Sequence, residues 1–228
     1  MPEILQTFTI ERRLYPPDAI AWAVLLTESN VQRLRERYKF NVLTQDLGPN
    51  AAVARLVGTT GEFSALNGRQ VVQQLVIEPT VLQAQTSGGS DVADGFIADL
   101  VEALCEIGNN RMLAETPEVA RTYQTIAIAK LSMPFELLVS EKLRTYLDTD
   151  VKPKVKLRNG EPEIRLQNLS WSVLYKMEST DFQYLPKVIT IEPRQGSRPS
   201  DMTYYTVSPT DSKTHLELLK KLESRFSK

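Results

Sequence analysis

The chain predicts an α+β protein built twice over: two β-α-β-β-β-α halves, each with a largely antiparallel sheet and helices packed on one face. Three observations point there. Short alternating or apolar runs separated by turn residues read as strands, and a strongly amphipathic helix closes each half. The order of elements up to residue 115 also returns, loosely, after residue 116, which is the pattern of an internal duplication. With 42% hydrophobic and 24% charged residues, a chain of 228 residues buries a sufficient core without disulfides or metals.

Leu5 to Arg13 opens the first half. Phe8 and Ile10 alternate there with Thr7, Thr9 and Glu11, the period of a half-buried strand, and Tyr15-Pro16-Pro17 ends it. Ile20 to Leu26 is apolar, short and bounded, and reads as a buried strand. The helix after it places Val31, Leu34 and Tyr38 at helical spacing. Asn41 to Gln45, Ala52 to Thr59 and Val71 to Gln85 read as hairpin strands, with Gly48-Pro49-Asn50, Gly61 and Asn67-Gly68 as turns. Ser90-Asp91 then caps a helix that carries Ala93, Ile97, Leu100 and Leu104 on one face and stops at Gly108-Asn109-Asn110.

In the second half, Ile126 to Leu131 parallels Ile20 to Leu25, and a helix is expected from Phe135 to Leu147. Ile191-Glu192-Pro193 parallels Ile77-Glu78-Pro79. Ser208 to Asp211 precedes a final helix whose His215, Leu219, Leu222 and Phe226 fall at the spacing of Ala93, Ile97, Leu100 and Leu104. The loop Gln195 to Asp201 absorbs the extra length. The expected domains are therefore 1–115 and 116–228, closely packed, with Gly108 to Ala120 too short for a flexible linker.

The reactive inventory is thin. A single cysteine, Cys105, and a single histidine, His215, exclude an internal disulfide and make a Cys/His zinc site implausible; both residues read as core. There is no G-x-S-x-G elbow, no phosphate loop and no G-x-G-x-x-G fingerprint. No run of eighteen apolar residues and no signal-like N-terminus occurs, so a cytoplasmic protein without a membrane partner is expected. No catalytic, metal or cofactor-binding residue is assigned, and no cofactor is expected.

Charge carries more information. The net charge of −1 hides a first half with nine basic and fourteen acidic residues and a second half with eighteen and fourteen. Asp91, Asp94, Asp99, Glu102 and Glu106 lie on the first closing helix without a base, whereas Lys213, Lys220, Lys221, Arg225 and Lys228 outnumber Glu217 and Glu223 on the last. Asp94, Asp99, Glu102, Lys220, Lys221 and Arg225 are thus candidate contacts to another protein or a second copy. The plainer alternative is two solvated faces, because an exposed ion pair contributes only about 0–1 kcal/mol.

A nucleic-acid surface is the second reading, built from Lys152, Lys154, Lys156 and Arg158 on one strand face with Arg12, Arg13, Arg33 and Arg37. Against it, a turn at Asn159-Gly160 pairs Arg158 with Glu161 and Lys156 with Glu163, the arginines of the first helix can pair with the acidic helix instead, and the overall charge lacks a basic excess. The helix start at Ser87 to Asp91 reads as ordinary capping rather than an anion site. Trp171, Tyr175, Phe182, Tyr204 and Tyr205 read as packing rather than a ligand platform. An enzyme with carboxylate or Tyr/Lys chemistry is the third class, and it needs an ordered cleft around a strongly shifted acid or lysine. The leading expectation is a non-enzymatic protein-interaction or assembly subunit.

Overall fold

The computed structural model describes residues 1–47, 54–65, 68–151, 168–173 and 187–226. The strands are β1 (Glu3–Leu14), β2 (Val42–Leu47), β3 (Ala54–Ala65), β4 (Gly68–Glu78), β5 (Val81–Ser87), β6 (Ala120–Lys130), β7 (Leu169–Val173), β8 (Lys187–Pro193) and β9 (Thr203–Ser208). The helices are α1 (Trp22–Leu25), α2 (Glu28–Arg37), α3 (Ser90–Gly108), α4 (Met112–Glu115), α5 (Glu141–Tyr146) and α6 (Ser212–Phe226). Mixed helix and strand, with antiparallel pairing, is therefore the fold class. The nine strands hydrogen-bond in the order β2-β3-β4-β5-β1-β6-β9-β8-β7.

Two compact units divide the chain, and neither is continuous in sequence. The larger is Thr7–Ile126 with Pro209–His215; the smaller is Met1–Gln6 with Ala127–Ser208 and Leu216–Lys228.

In the larger unit β2 to β5 form successive antiparallel hairpins, and β1 adds beside β5 with Glu11 opposite Ala84. Leu56, Leu75, Ile77, Leu82 and Ala84 of these strands share one core with Leu25, Leu34, Phe96, Ile97, Leu100 and Leu113 from α1 to α4. Helix α3 follows its predicted stripe, with Ala93, Ile97, Leu100 and Leu104 all buried. Phe96 anchors it, meeting Tyr38 edge-on at 5.2 Å and Phe63 at 5.3 Å between ring centroids, the offset geometry that aromatic quadrupoles favour. Asn109 in the left-handed conformation (φ 46°) ends the helix, tolerated because its short polar side chain makes that region accessible.

Gly61, expected at a turn, lies inside β3, and three further expectations change in the structure. Ile20 to Leu26 is not a strand: residues 22–25 form the helical turn α1, entered through a left-handed Asp18 at φ 68°. Seven apolar residues satisfy a buried turn as well as a buried strand, and the reversal after Pro16-Pro17 selects the turn. The helix expected from Phe135 to Leu147 is broken. A 3-10 turn spans Phe135–Leu138, Val139 is extended, and α5 starts after Ser140, whose side chain accepts a hydrogen bond from the Leu143 amide. The third concerns β1. Its buried residues are Thr9, Glu11 and Arg13, while the apolar alternates Phe8 and Ile10 are only half-buried. A polar strand face is tolerable in a core only if its groups are paired, so this inversion locates the site described next.

The smaller unit packs Ala129, Leu131, Met133, Phe135, Ile191, Tyr204 and Leu219 into its own core. β9 pairs with β8, and β8 with β7, again antiparallel. The Tyr204 hydroxyl donates to the Met133 carbonyl at 2.7 Å, which satisfies the one polar end of a buried ring. Among the described residues no helix is long and apolar enough to cross a membrane.

Candidate functional site

The most distinctive chemistry of the larger unit is a cluster of five charged side chains and a tyrosine beneath α3. Glu11 and Arg13 lie two apart on β1, and strand alternation puts both on the face that α3 covers. The Arg13 Nε donates to Glu11 Oε1 at 2.6 Å, and its Nη2 reaches Asp94 Oδ1 on α3 at 3.1 Å. From β6, Arg121 donates through Nη1 to the same Asp94 oxygen at 2.8 Å and through Nε to Glu118 Oε1 at 2.7 Å. The Tyr123 hydroxyl donates a third bond to Asp94 Oδ1, also 2.8 Å. Glu118 lies 3.6 Å from Arg13, and Arg121 lies 3.9 Å from Glu11.

Burial divides these groups. The Glu11 side chain is 0% exposed and Arg13 10%, whereas Asp94 and Arg121 each keep 36% of their surface in solvent. Burial raises the Glu11 carboxyl from 4.5 to about 7, against the opposing pull of Arg13. For Arg13, burial works the other way, and the hydrogen bond to Glu11 overcomes it, so the guanidinium titrates above its usual range. Arg121 is also raised, chiefly by its bond to Glu118. Burial raises the Tyr15 and Tyr123 hydroxyls. Glu11 Oε2 has no hydrogen-bond partner among the described residues.

Beside the cluster, a cavity of about 280 Å³ is lined by Arg13, Tyr15, Val101, Glu102, Leu113 and Glu118, among others. The arrangement can hold and release a proton. The Glu11 carboxyl is itself sealed from solvent, whereas Asp94 and Glu118 keep part of their surface exposed and Glu118 lines the cavity. Among the described residues no group of three His, Cys, Asp or Glu side chains is placed to hold a metal ion.

The residues singled out by charge are distributed as follows. Asp99 of α3 accepts from Arg37 Nη2 at 3.0 Å and from the Tyr38 hydroxyl at 2.7 Å, and Arg37 Nη1 also reaches Glu106 at 2.9 Å. Glu102 meets Arg111 at 3.3 Å. Asp94, Asp99 and Glu102 are thus all engaged by arginines of their own unit. Arg13 and Arg37 are engaged with them. Arg33 is exposed, and the Nε of half-buried Arg12 has no partner among the described residues. On α6, Lys220, Lys221 and Arg225 are exposed and form no ion pair among the described residues. Lys152, Lys154, Lys156 and Arg158 lie outside the described residues, as do the Asn159-Gly160 turn, Tyr175 and Phe182. His215 and Cys105 are buried, Tyr204 is core, and Trp171 is 48% exposed.

Sequence reasoning missed Glu11, Glu118, Arg121 and Tyr123. One signal was present: opposite charges at positions 11 and 13 share a strand face with Thr9, which makes that face polar but internally neutral.

Fold and site together define an α+β protein with antiparallel strands and a buried acid–base cluster. The chain matches no protein-family model, no curated protein and no solved structure.

Proposed function

We propose that the chain is an internally duplicated, non-enzymatic interaction subunit whose α6 face binds an acidic surface of another protein. The duplication rests on topology and on a repeated hydrogen bond. Counting outward from β1 the neighbours are β5, β4 and β3; counting outward from β6 they are β9, β8 and β7. Helix α3 follows β5, and α6 follows β9. Thr9 on β1 donates to the carbonyl of Gly88, two residues before α3, and Thr125 on β6 donates to the carbonyl of Thr210, two residues before α6. This correspondence aligns β6 with β1, not with Ile20–Leu25.

The observation that carries the functional reading is the contrast between the equivalent helices. Aligning Ser90 with Ser212 places Phe96 against Leu218 and Asp99 against Lys221. Phe96 is fully buried under Tyr38 and Phe63, and Asp99 is held by Arg37, but Leu218 is 42% exposed and Lys221 is without an ion pair among the described residues. A helix face that is covered in one half and open in the other, apolar at its centre and basic around it, fits an acidic protein partner with an apolar contact.

Affinity capture of tagged full-length protein from its own cells, with and without K220E/K221E/R225E, tests this. Retention of a nuclease-resistant protein partner that falls at least tenfold in the triple variant supports the assignment. Equal retention overturns it, and recovery of nucleic acid in place of protein transfers the basic face to the second reading.

A further inference from the structure

We infer that Glu11, Arg13, Asp94, Glu118 and Arg121 form a one-proton site that couples the docking of α3 to pH. The charge count motivates it. Three carboxyl groups meet two guanidinium groups, so the cluster carries one negative charge in excess until one carboxyl takes a proton. Burial decides which. Asp94 Oδ1 is stabilised by three donors, Glu118 has Arg121 and Arg13, and both keep some solvent contact. Glu11 has one short bond, an Oε2 with no partner among the described residues, and no solvent contact. An ionised oxygen in that position is costlier than a neutral hydroxyl, so the proton resides on Glu11.

The groups around Glu11 divide: burial and the Asp94 carboxylate favour its proton, and the arginines oppose it. Arg13 on β1 and Arg121 with Tyr123 on β6 face it, as does Asp94 from α3; Glu118, from the segment before β6, meets the two arginines, and the opposing β5 residue is the neutral Ala84. Loss of the proton sets two anions, Glu11 and Asp94, on separate nitrogens of one guanidinium, where they repel each other. Glu11 cannot leave its buried position, but Asp94 is over a third exposed and can turn outward. Asp94 is the charged link between α3 and the strands beneath it, so its departure loosens the N-terminal half of α3.

The test is carbon-13 NMR titration of side-chain carboxyls in the full-length protein. One glutamate resonance should titrate near neutrality and be missing from E11Q, and the ratio of the wild-type to the E11Q unfolding constant should rise about tenfold per pH unit from pH 4.5 up to that transition and level off above it. Amide exchange in α3, corrected for intrinsic rates, should accelerate with the same midpoint in the wild type. Titration of every wild-type glutamate below about pH 5.5 overturns the proposal, and that reading stands even if E11Q does not fold.

Discussion

Glu11 shows how a single side chain can mislead a pattern. Alternation of Phe8 and Ile10 with Thr9 and Glu11 announces a strand correctly, but hydropathy alone turns its apolar residues inward. The structure turns them the other way because Arg13, Asp94 and the Gly88 carbonyl pair with the polar set. The Glu11–Arg13 pair is local and was the one legible signal; the partners Asp94 and Gly88 lie about eighty residues away and have no local signature. Gly61 shows the opposite case, in which a residue read as a turn signal lies inside β3. A Cβ there would stand 2.5 Å from the Phe40 ring and 2.9 Å from the Tyr38 carbonyl. G61A is therefore expected to lower the unfolding free energy by about 1–3 kcal/mol, the usual cost of overpacking. Thermal denaturation checks this, and an unchanged midpoint would show that Phe40 yields without strain.

Among the elements, α3 was the most legible, since its apolar stripe recurs at helical spacing from Ala93 to Leu104. Its partners in space were less so: Arg37 was recognised as a candidate partner for the acidic helix, Arg121 was not. Short elements were the least legible. Residues 22–25 and 135–138 are single turns whose apolar content suits either strand or helix, and their context comes from neighbouring prolines and packing. The proposed equivalence of α3 and α6 is tested by truncating the residue at the matching position of each. F96A removes a fully buried ring between Tyr38 and Phe63 and should cost about 3–5 kcal/mol in urea denaturation. L218A, at the matching position of α6, should change stability by less than about 0.5 kcal/mol and weaken partner capture instead. If L218A destabilises the protein as F96A does, α6 is packed in the manner of α3 and its face is not a contact surface.

For the whole molecule, two buried groups tilt stability against pH in opposite directions near neutrality. Glu11 is raised from 4.5 to about 7, so the folded state keeps a proton that the unfolded chain has released; its contribution is complete below pH 4.5 and is lost as pH rises through 7. His215, 2% exposed, is lowered by burial from 6.5 to about 4, so the unfolded chain takes up a proton that the folded state refuses. Its contribution is complete above pH 6.5 and is lost as pH falls through 4. Each alone tilts the stability curve by about 1.4 kcal/mol per pH unit inside its window. The windows overlap from pH 4.5 to 6.5, where the two slopes cancel. The wild-type protein should therefore look insensitive to pH in that range, as though neither group were perturbed. Single neutral substitutions separate the two: E11Q should grow more stable from pH 4.5 to 6.5, and H215N should grow less stable over the same interval. Guanidinium unfolding at four or five pH values measures both. Parallel curves for the two variants would mean that neither residue titrates as its burial requires, and a sloping wild-type curve would mean that only one does.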